Sequence, residues 1–263
     1  MTTETVLLVG RERRNGRAVL RTHAERLRER GLADRVAVAT YERDPAIELS
    51  EQFAEMTADT VYAVPMCAAH SHETTEAVPS ALASLTGGVR YCDPVGASPA
   101  VTDVIEERGA DLVAGDEDVS LVLVGFGSSS KPYHRRTVDY HATRLRERTD
   151  YGEVVTCYLL QNPAVECVRY NVSNDSAVAV PLFLTRTEAT EERVPAELEL
   201  DRGGMAYADP FGTHPRVTDA VSAEVEKQRA LASAGGAGSV SVDATPGGPP
   251  RPVATDGDGG RRR

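Results

Sequence analysis

With 263 residues, the chain is long enough to bury a sizeable core, and its 40 acidic against 29 basic side chains leave a net charge of −11. That sign argues against nucleic acid as a partner, because a phosphate backbone would be repelled over most of the surface. No run of eighteen apolar residues offers a membrane span, and the first residues carry no basic, then apolar, leader pattern, so a soluble cytoplasmic protein is expected.

Only Lys131 and Lys227 are lysines. An acidic, lysine-poor surface suits high ionic strength, where self-repulsion is screened, although an arginine bias also follows from a GC-rich genome. Cys67, Cys92, Cys157 and Cys167 are scattered without a CxxC pair, which favours reduced thiols over a zinc knot or disulfide framework.

In chain order, residues 5–9 read as a wholly apolar strand and 16–30 as a helix with Val19, Leu20, His23 and Leu27 on one face. Residues 35–40 form a second strand, 46–56 a helix, 60–65 a third strand, 67–75 a polar loop and 76–85 a helix. Residues 89–93 are the fourth strand, and 100–114 a helix entered through Ser98 and Pro99 as a capping pair. A Gly- and Asp-rich stretch at 114–119 follows, and the order then repeats. Strands are expected at 120–124, 153–159, 177–181 and 205–209, with helices at 135–148, 163–171, 190–199 and 215–232. Beyond 232 the Gly- and Pro-rich, apolar-poor composition predicts disorder.

The repetition is literal as well as architectural. LLVGRE (7–12) is echoed by LVGFGS (123–128), AVPM (63–66) by AVPL (179–182), and YCDPVGASPAVTD (91–103) by YADPFGTHPRVTD (207–219), each about 116 residues on. The expected fold is therefore α/β, with two tandem lobes, each a short parallel sheet flanked by helices. The lobes are placed at residues 1–115 and 116–232, followed by a tail at 233–263.

Ligands of open parallel sheets sit beyond the carboxyl ends of the strands, which selects four loops per lobe. One of them, VPMCAAHSHETTEAVP (64–79), carries His70, His72 and Glu73. If the segment is extended, His70 and His72 project to one side and can share a metal ion, while Glu73 offers a carboxylate. Two surface histidines on a polar loop are the plain alternative. Another loop, GFGSSSKPYHRR (125–136), combines Gly and Ser with Lys131, Tyr133, His134, Arg135 and Arg136. It suits an anion such as a polycarboxylate, or is simply a turn before a basic helix start; it is neither a Walker motif nor a dinucleotide fingerprint. His23 and His141 occupy matching places in the first helix of each lobe and are assigned to packing. His214 stands before the last helix, either lining a cleft or capping, and Cys67 is read as a small buried residue.

At these residues the chain resembles the class II chelatases, which insert a divalent metal into sirohydrochlorin. The resemblance runs from about Val6 to Arg229 and is carried by LLVG and LVGFGS, by VPLFL (180–184) with Pro195 fourteen residues beyond its own proline, and by DPFGTHPRVTD. It implies two chelatase-like lobes facing across a cleft, a tetrapyrrole substrate, a divalent metal as co-substrate (cobalt favoured, nickel and iron the others) and no organic cofactor. A monomer with pseudo-two-fold lobes is expected. The departures are at the motif histidines. Arg11 and Phe126 stand where the family has the histidine of VGHGS, and Glu73 and Ala189 stand at the second histidine's place. The expectation is that His70 and His72 bind the metal, that His72, Glu73 and His134 handle metal and protons, and that Lys131, Arg135 and Arg136 hold substrate carboxylates. The competing reading is a silent carrier of metal or tetrapyrrole. A flavodoxin-like redox protein ranks below both.

Overall fold

The computed structural model describes residues 2–54 and 56–234. Its first repeat contains β1 (Glu4–Arg11), α1 (Gly16–Glu29), β2 (Arg35–Tyr41), α2 (Pro45–Phe53), β3 (Thr57–Pro65), α3 (Val78–Leu82), β4 (Thr86–Tyr91) and α4 (Pro99–Ala110). The second contains β5 (Val119–Gly125), α5 (Tyr133–Arg148), β6 (Glu153–Tyr158), β7 (Ser176–Pro181), α6 (Val194–Glu197), β8 (Met205–Tyr207) and α7 (Pro215–Ala234). The strands form two four-stranded, all-parallel sheets, ordered β2-β1-β3-β4 and β6-β5-β7-β8. The expected tail beyond 234 lies outside the described residues.

The central strands are apolar on both faces because both faces are covered. In β1, Val6 and Leu8 point into one cluster and Leu7 and Val9 into another. The first cluster is shared by both repeats. It joins Val6 and Leu8 to Leu121 and Leu123 of β5 through the apolar sides of α1, α4, α5 and α7, which form a helical layer between the sheets. Moreover α4 packs on β7 and α7 on β3, so each repeat's last helix covers the other's sheet. Smaller outer clusters lie beneath α2 and α3 on one side and α6 on the other.

Two buried histidines pin this arrangement. His23 on α1 donates Nε2–H to the Gly212 carbonyl (3.0 Å) and accepts at Nδ1 from the Thr218 hydroxyl (2.8 Å). His141 on α5 does the same with Gly96 (2.7 Å) and Thr102 (2.9 Å). Each histidine thus satisfies both ring nitrogens on the opposite repeat, as a buried polar group must, and burial holds both pKa values down to about 4. The packing role expected for this pair is what the structure has.

Three expected helices differ. Residues 163–171 contain only a 3-10 segment at Val165–Tyr170, because the chain enters it through a proline and a short extended link. The helices expected at 76–85 and 190–199 start earlier, with π-helical turns at Glu73–Ala77 and Ala189–Arg193 ahead of α3 and α6. The Ser98–Pro99 cap is present, with the Ser98 hydroxyl accepting from the Ala100 N–H at 3.4 Å.

Candidate active site

The carboxyl ends of β1, β3, β5 and β7 open into a cleft of about 470 Å³ between the repeats, within the range of small-molecule sites. From the first repeat its wall takes Arg11 and Arg13, Tyr41 at the end of β2, Cys67, and Glu73 on the π turn. From the second it takes Phe126, His134, Phe183 and Arg193.

Glu73 has two partners within the cleft wall itself. Its carboxylate pairs with the Arg11 guanidinium at 3.1 Å and accepts from the Tyr41 hydroxyl at 3.2 Å. The Tyr41 phenol is buried beside that carboxylate, so its pKa is driven up and it stays a neutral donor. Tyr91 fixes the turn by donating to the Thr74 carbonyl at 2.7 Å, and Tyr207 does likewise to Thr190 at 3.0 Å in the other repeat. Cys67 is held as a thiol, since burial pushes its pKa up to about 12. The loop after it is braced by Gly96, whose N–H donates to the Cys67 carbonyl at 3.0 Å. A Cβ on Gly96 would lie 2.2 Å from the Ala68 carbonyl oxygen, so no larger residue fits.

Across from this polar wall stands His134 on the first turn of α5. Burial depresses its pKa, so the ring is neutral at neutral pH. It packs against Phe126, with 5.9 Å between ring centroids.

The residues singled out from sequence are distributed unevenly. Glu73 and His134 line the cleft together. His70 and His72 are not part of its wall. The segment is not extended at this point: Ser71 and Thr74 exchange hydrogen bonds (2.8 and 3.4 Å) that start a helical turn, and His72 already has helical backbone angles. The shared side expected of alternate residues is thereby lost. His70 accepts or donates at Nδ1 with the Thr74 hydroxyl (3.2 Å) and meets the edge of Tyr133 (5.8 Å). The His72 side chain is 72% exposed and pairs with Glu76 at 3.0 Å. Lys131, Arg135 and Arg136 also lie off the wall. Successive residues on α5 turn about 100°, so the register that brings His134 into the cleft carries its two neighbours out of it; Arg135 pairs with Asp139 at 3.6 Å. His214 both caps α7, accepting from the Arg216 N–H at 3.4 Å, and pairs with Glu107 of the other repeat at 3.0 Å. Arg13, Tyr41, Phe183 and Arg193 were not legible as wall residues. Their one signal was position, since Arg13, Tyr41 and Phe183 each follow an expected strand, at 5–9, 35–40 and 177–181, on the binding edge. Among the described residues, no group of three or more His, Cys, Asp or Glu side chains is arranged to hold a metal ion, and no helix is long and apolar enough to cross a membrane.

Two α/β repeats enclosing a cleft at their strand ends define a chelatase-type architecture. The CbiX family profile matches residues 5–112 and again 120–228, and the chain belongs to that family. It is 26% identical to a probable sirohydrochlorin cobaltochelatase of Halobacterium salinarum, over 76% of this chain and 82% of that one. SirB from Bacillus subtilis, solved with Fe3+, shares the fold with a TM-score of 0.70 at 21% identity, covering 88% of this chain and 98% of SirB. DR2241 from Deinococcus radiodurans, a multi-domain protein with structural similarity to chelatases, superposes with a TM-score of 0.69 at 23% identity over 87% of this chain. The match spans 56% of DR2241.

Proposed function

We propose that this protein inserts a divalent metal ion into sirohydrochlorin held in the cleft, and that the ion is cobalt. The observation that carries the reading is that one cleft takes from opposite repeats the Glu73 carboxyl group, steadied by Tyr41, and the desolvated His134 imidazole, whose pKa burial lowers. Insertion requires two things of a protein: a group that presents a cation to the ring, and a base that takes the pyrrole protons. A divalent ion and a neutral macrocycle core give the metallated ring and two protons, with no change of oxidation state. The four pyrrole nitrogens themselves complete the ion's coordination, so the protein needs only a transient donor. Glu73 fits that part and His134 the proton acceptor; a positioned base contributes about two to four orders of magnitude in rate. Arg11 and Arg13 fit the substrate's carboxylates, which guanidinium groups recognise bidentately. Cobalt is preferred on the strength of the cobaltochelatase similarity.

A second reading, a tetrapyrrole carrier without insertion activity, is favoured by the Arg11–Glu73 ion pair itself. A guanidinium already satisfies the carboxylate to which an incoming cation would bind. Absorbance-monitored metal uptake by sirohydrochlorin with cobalt, nickel and ferrous iron separates the two. Metal-dependent turnover that Glu73→Gln and His134→Ala each abolish supports the chelatase. Binding of the macrocycle with no uptake above the spontaneous rate for any ion leaves the carrier.

A further inference from the structure

The two walls of the cleft derive from equivalent positions of the duplicated unit, yet at three pairs of positions the second repeat has become apolar. Arg11 corresponds to Phe126, Cys67 to Phe183 and Glu73 to Ala189, and all six residues line the cleft. At each pair the first repeat has a polar or charged group and the second an apolar one. Phe126 is 38% exposed and meets Phe183 edge-on, with centroids 6.2 Å apart and planes at 81°. Leu182 and Leu184 extend the same surface. A part-exposed phenylalanine within an apolar stretch of wall presents its ring to the cleft, and an aromatic surface of this kind suits the π-face of a flat ligand.

We propose that the second repeat is a stacking wall, in which Phe126 and Phe183 take one face of a planar macrocycle edged with carboxylates and so fix which face is turned to Arg11 and Glu73. The inference rests on the tetrapyrrole reading above and adds the ligand's orientation. Two observations select this occupant. Arginines at the wall, Arg11, Arg13 and Arg193, match a carboxylate periphery. The remaining walls are too unlike one another to bind a ligand symmetrically. With one face seated on the aromatic wall, a metal ion can approach only from the face turned to Glu73, and pyrrole protons leave on the His134 side. Two like walls would permit either orientation; two unlike walls permit one.

The test is equilibrium binding of metal-free sirohydrochlorin, read by its fluorescence, together with the circular dichroism induced in its visible bands by a fixed orientation. Losing one aromatic stacking partner should weaken binding about tenfold. Phe126→Ala and Phe183→Ala are each expected to do so and to diminish the induced signal, whereas Phe126→Tyr, which keeps the ring, should stay within about twofold of wild type. Phe126→Leu keeps apolar volume without the ring and should behave as Phe126→Ala, which separates stacking from mere packing. Wild type that binds while all these variants match it in affinity and induced signal overturns the stacking wall and leaves the tetrapyrrole reading intact. Wild type that does not bind sirohydrochlorin at all overturns both.

Discussion

Mild acid should weaken the junction between the repeats. His23 and His141 are neutral and buried there, with pKa values held near 4 by desolvation, against about 6.5 for an unperturbed imidazole. Their folded values are depressed, so the unfolded chain binds more protons: their contribution is intact above pH 6.5 and is lost progressively as pH falls towards 4. At pH 5 linkage gives about 2 kcal/mol for each histidine, or about 4 kcal/mol together, a large share of an ordinary domain's stability. The guanidinium groups facing them act the same way, Arg26 near His23 and Arg144 near His141; the imidazole of His214 also faces His23. The assay is urea unfolding at pH 7.5 and pH 5.0, at one salt concentration, for wild type and for His23→Gln/His141→Gln. Glutamine can still donate and accept but does not titrate. The variant should be less stable at pH 7.5 yet lose about 4 kcal/mol less on acidification. Equal losses in the two proteins would refute the reasoning and place the acid sensitivity among the carboxylates.

Arg13→Ala should raise KM for sirohydrochlorin about tenfold with little change in kcat, since it removes a contact made alike in ground and transition states; steady-state kinetics checks this. Arg11→Met removes the cation that competes for Glu73 and should lower KM for the metal several-fold, measured by titrating cobalt at saturating macrocycle. His134 must be neutral to accept a proton, and burial lowers its pKa from the usual imidazole value of about 6.5, so the acid limb of the wild-type rate profile should fall below that value, measured as the initial rate of cobalt uptake against pH. Gly96→Ala would drive a Cβ to 2.2 Å from the Ala68 carbonyl oxygen. It should cost about 2 kcal/mol or more, seen as a lowered melting temperature.

What could be read from the sequence follows from where its determinants lie. β1 and β5 were legible because a strand covered on both faces has an unbroken apolar middle, here residues 6–9 and 121–124, and α4 because Ser98 and Pro99 announce its start. The cleft was legible as a location, since parallel sheets bind at their carboxyl ends. Its lining was not. The direction of His72 depends on Ser71 and Thr74 closing a turn, and a His-x-His pattern does not say whether the backbone beneath it is extended or helical. Arg135 and Arg136 read as partners of His134 in a linear motif, but a helix separates neighbours in sequence by about 100°. Arg13 sits in a run with Arg11, Arg14 and Arg17. Which of these reaches the cleft is decided by the turn at Arg14, with its φ of 42°, and by the clasp of Arg14 to Glu191 at 2.7 Å and Glu192 at 3.0 Å.

That clasp also bears on why both repeats reside in one chain. Arg14 of the first repeat holds the π turn of the second, Asn15 accepts from the Arg186 N–H at 3.2 Å, and α4 and α7 are exchanged between the sheets. A symmetric pair of identical units would have to keep every cleft position the same on both walls. Duplication within a chain lifts that constraint while the histidine pins, which bury and satisfy the same groups twice, retain the symmetry. His23 and His141 therefore match in residue, partner type and tautomer, whereas Arg11 and Phe126, at equivalent strand ends, share nothing chemically. Positions that hold the repeats together stayed paired because each must satisfy a buried imidazole; positions that face the cleft carry no such constraint, and the proposed division of seating and metal approach between two faces of one ligand is what two different walls would serve.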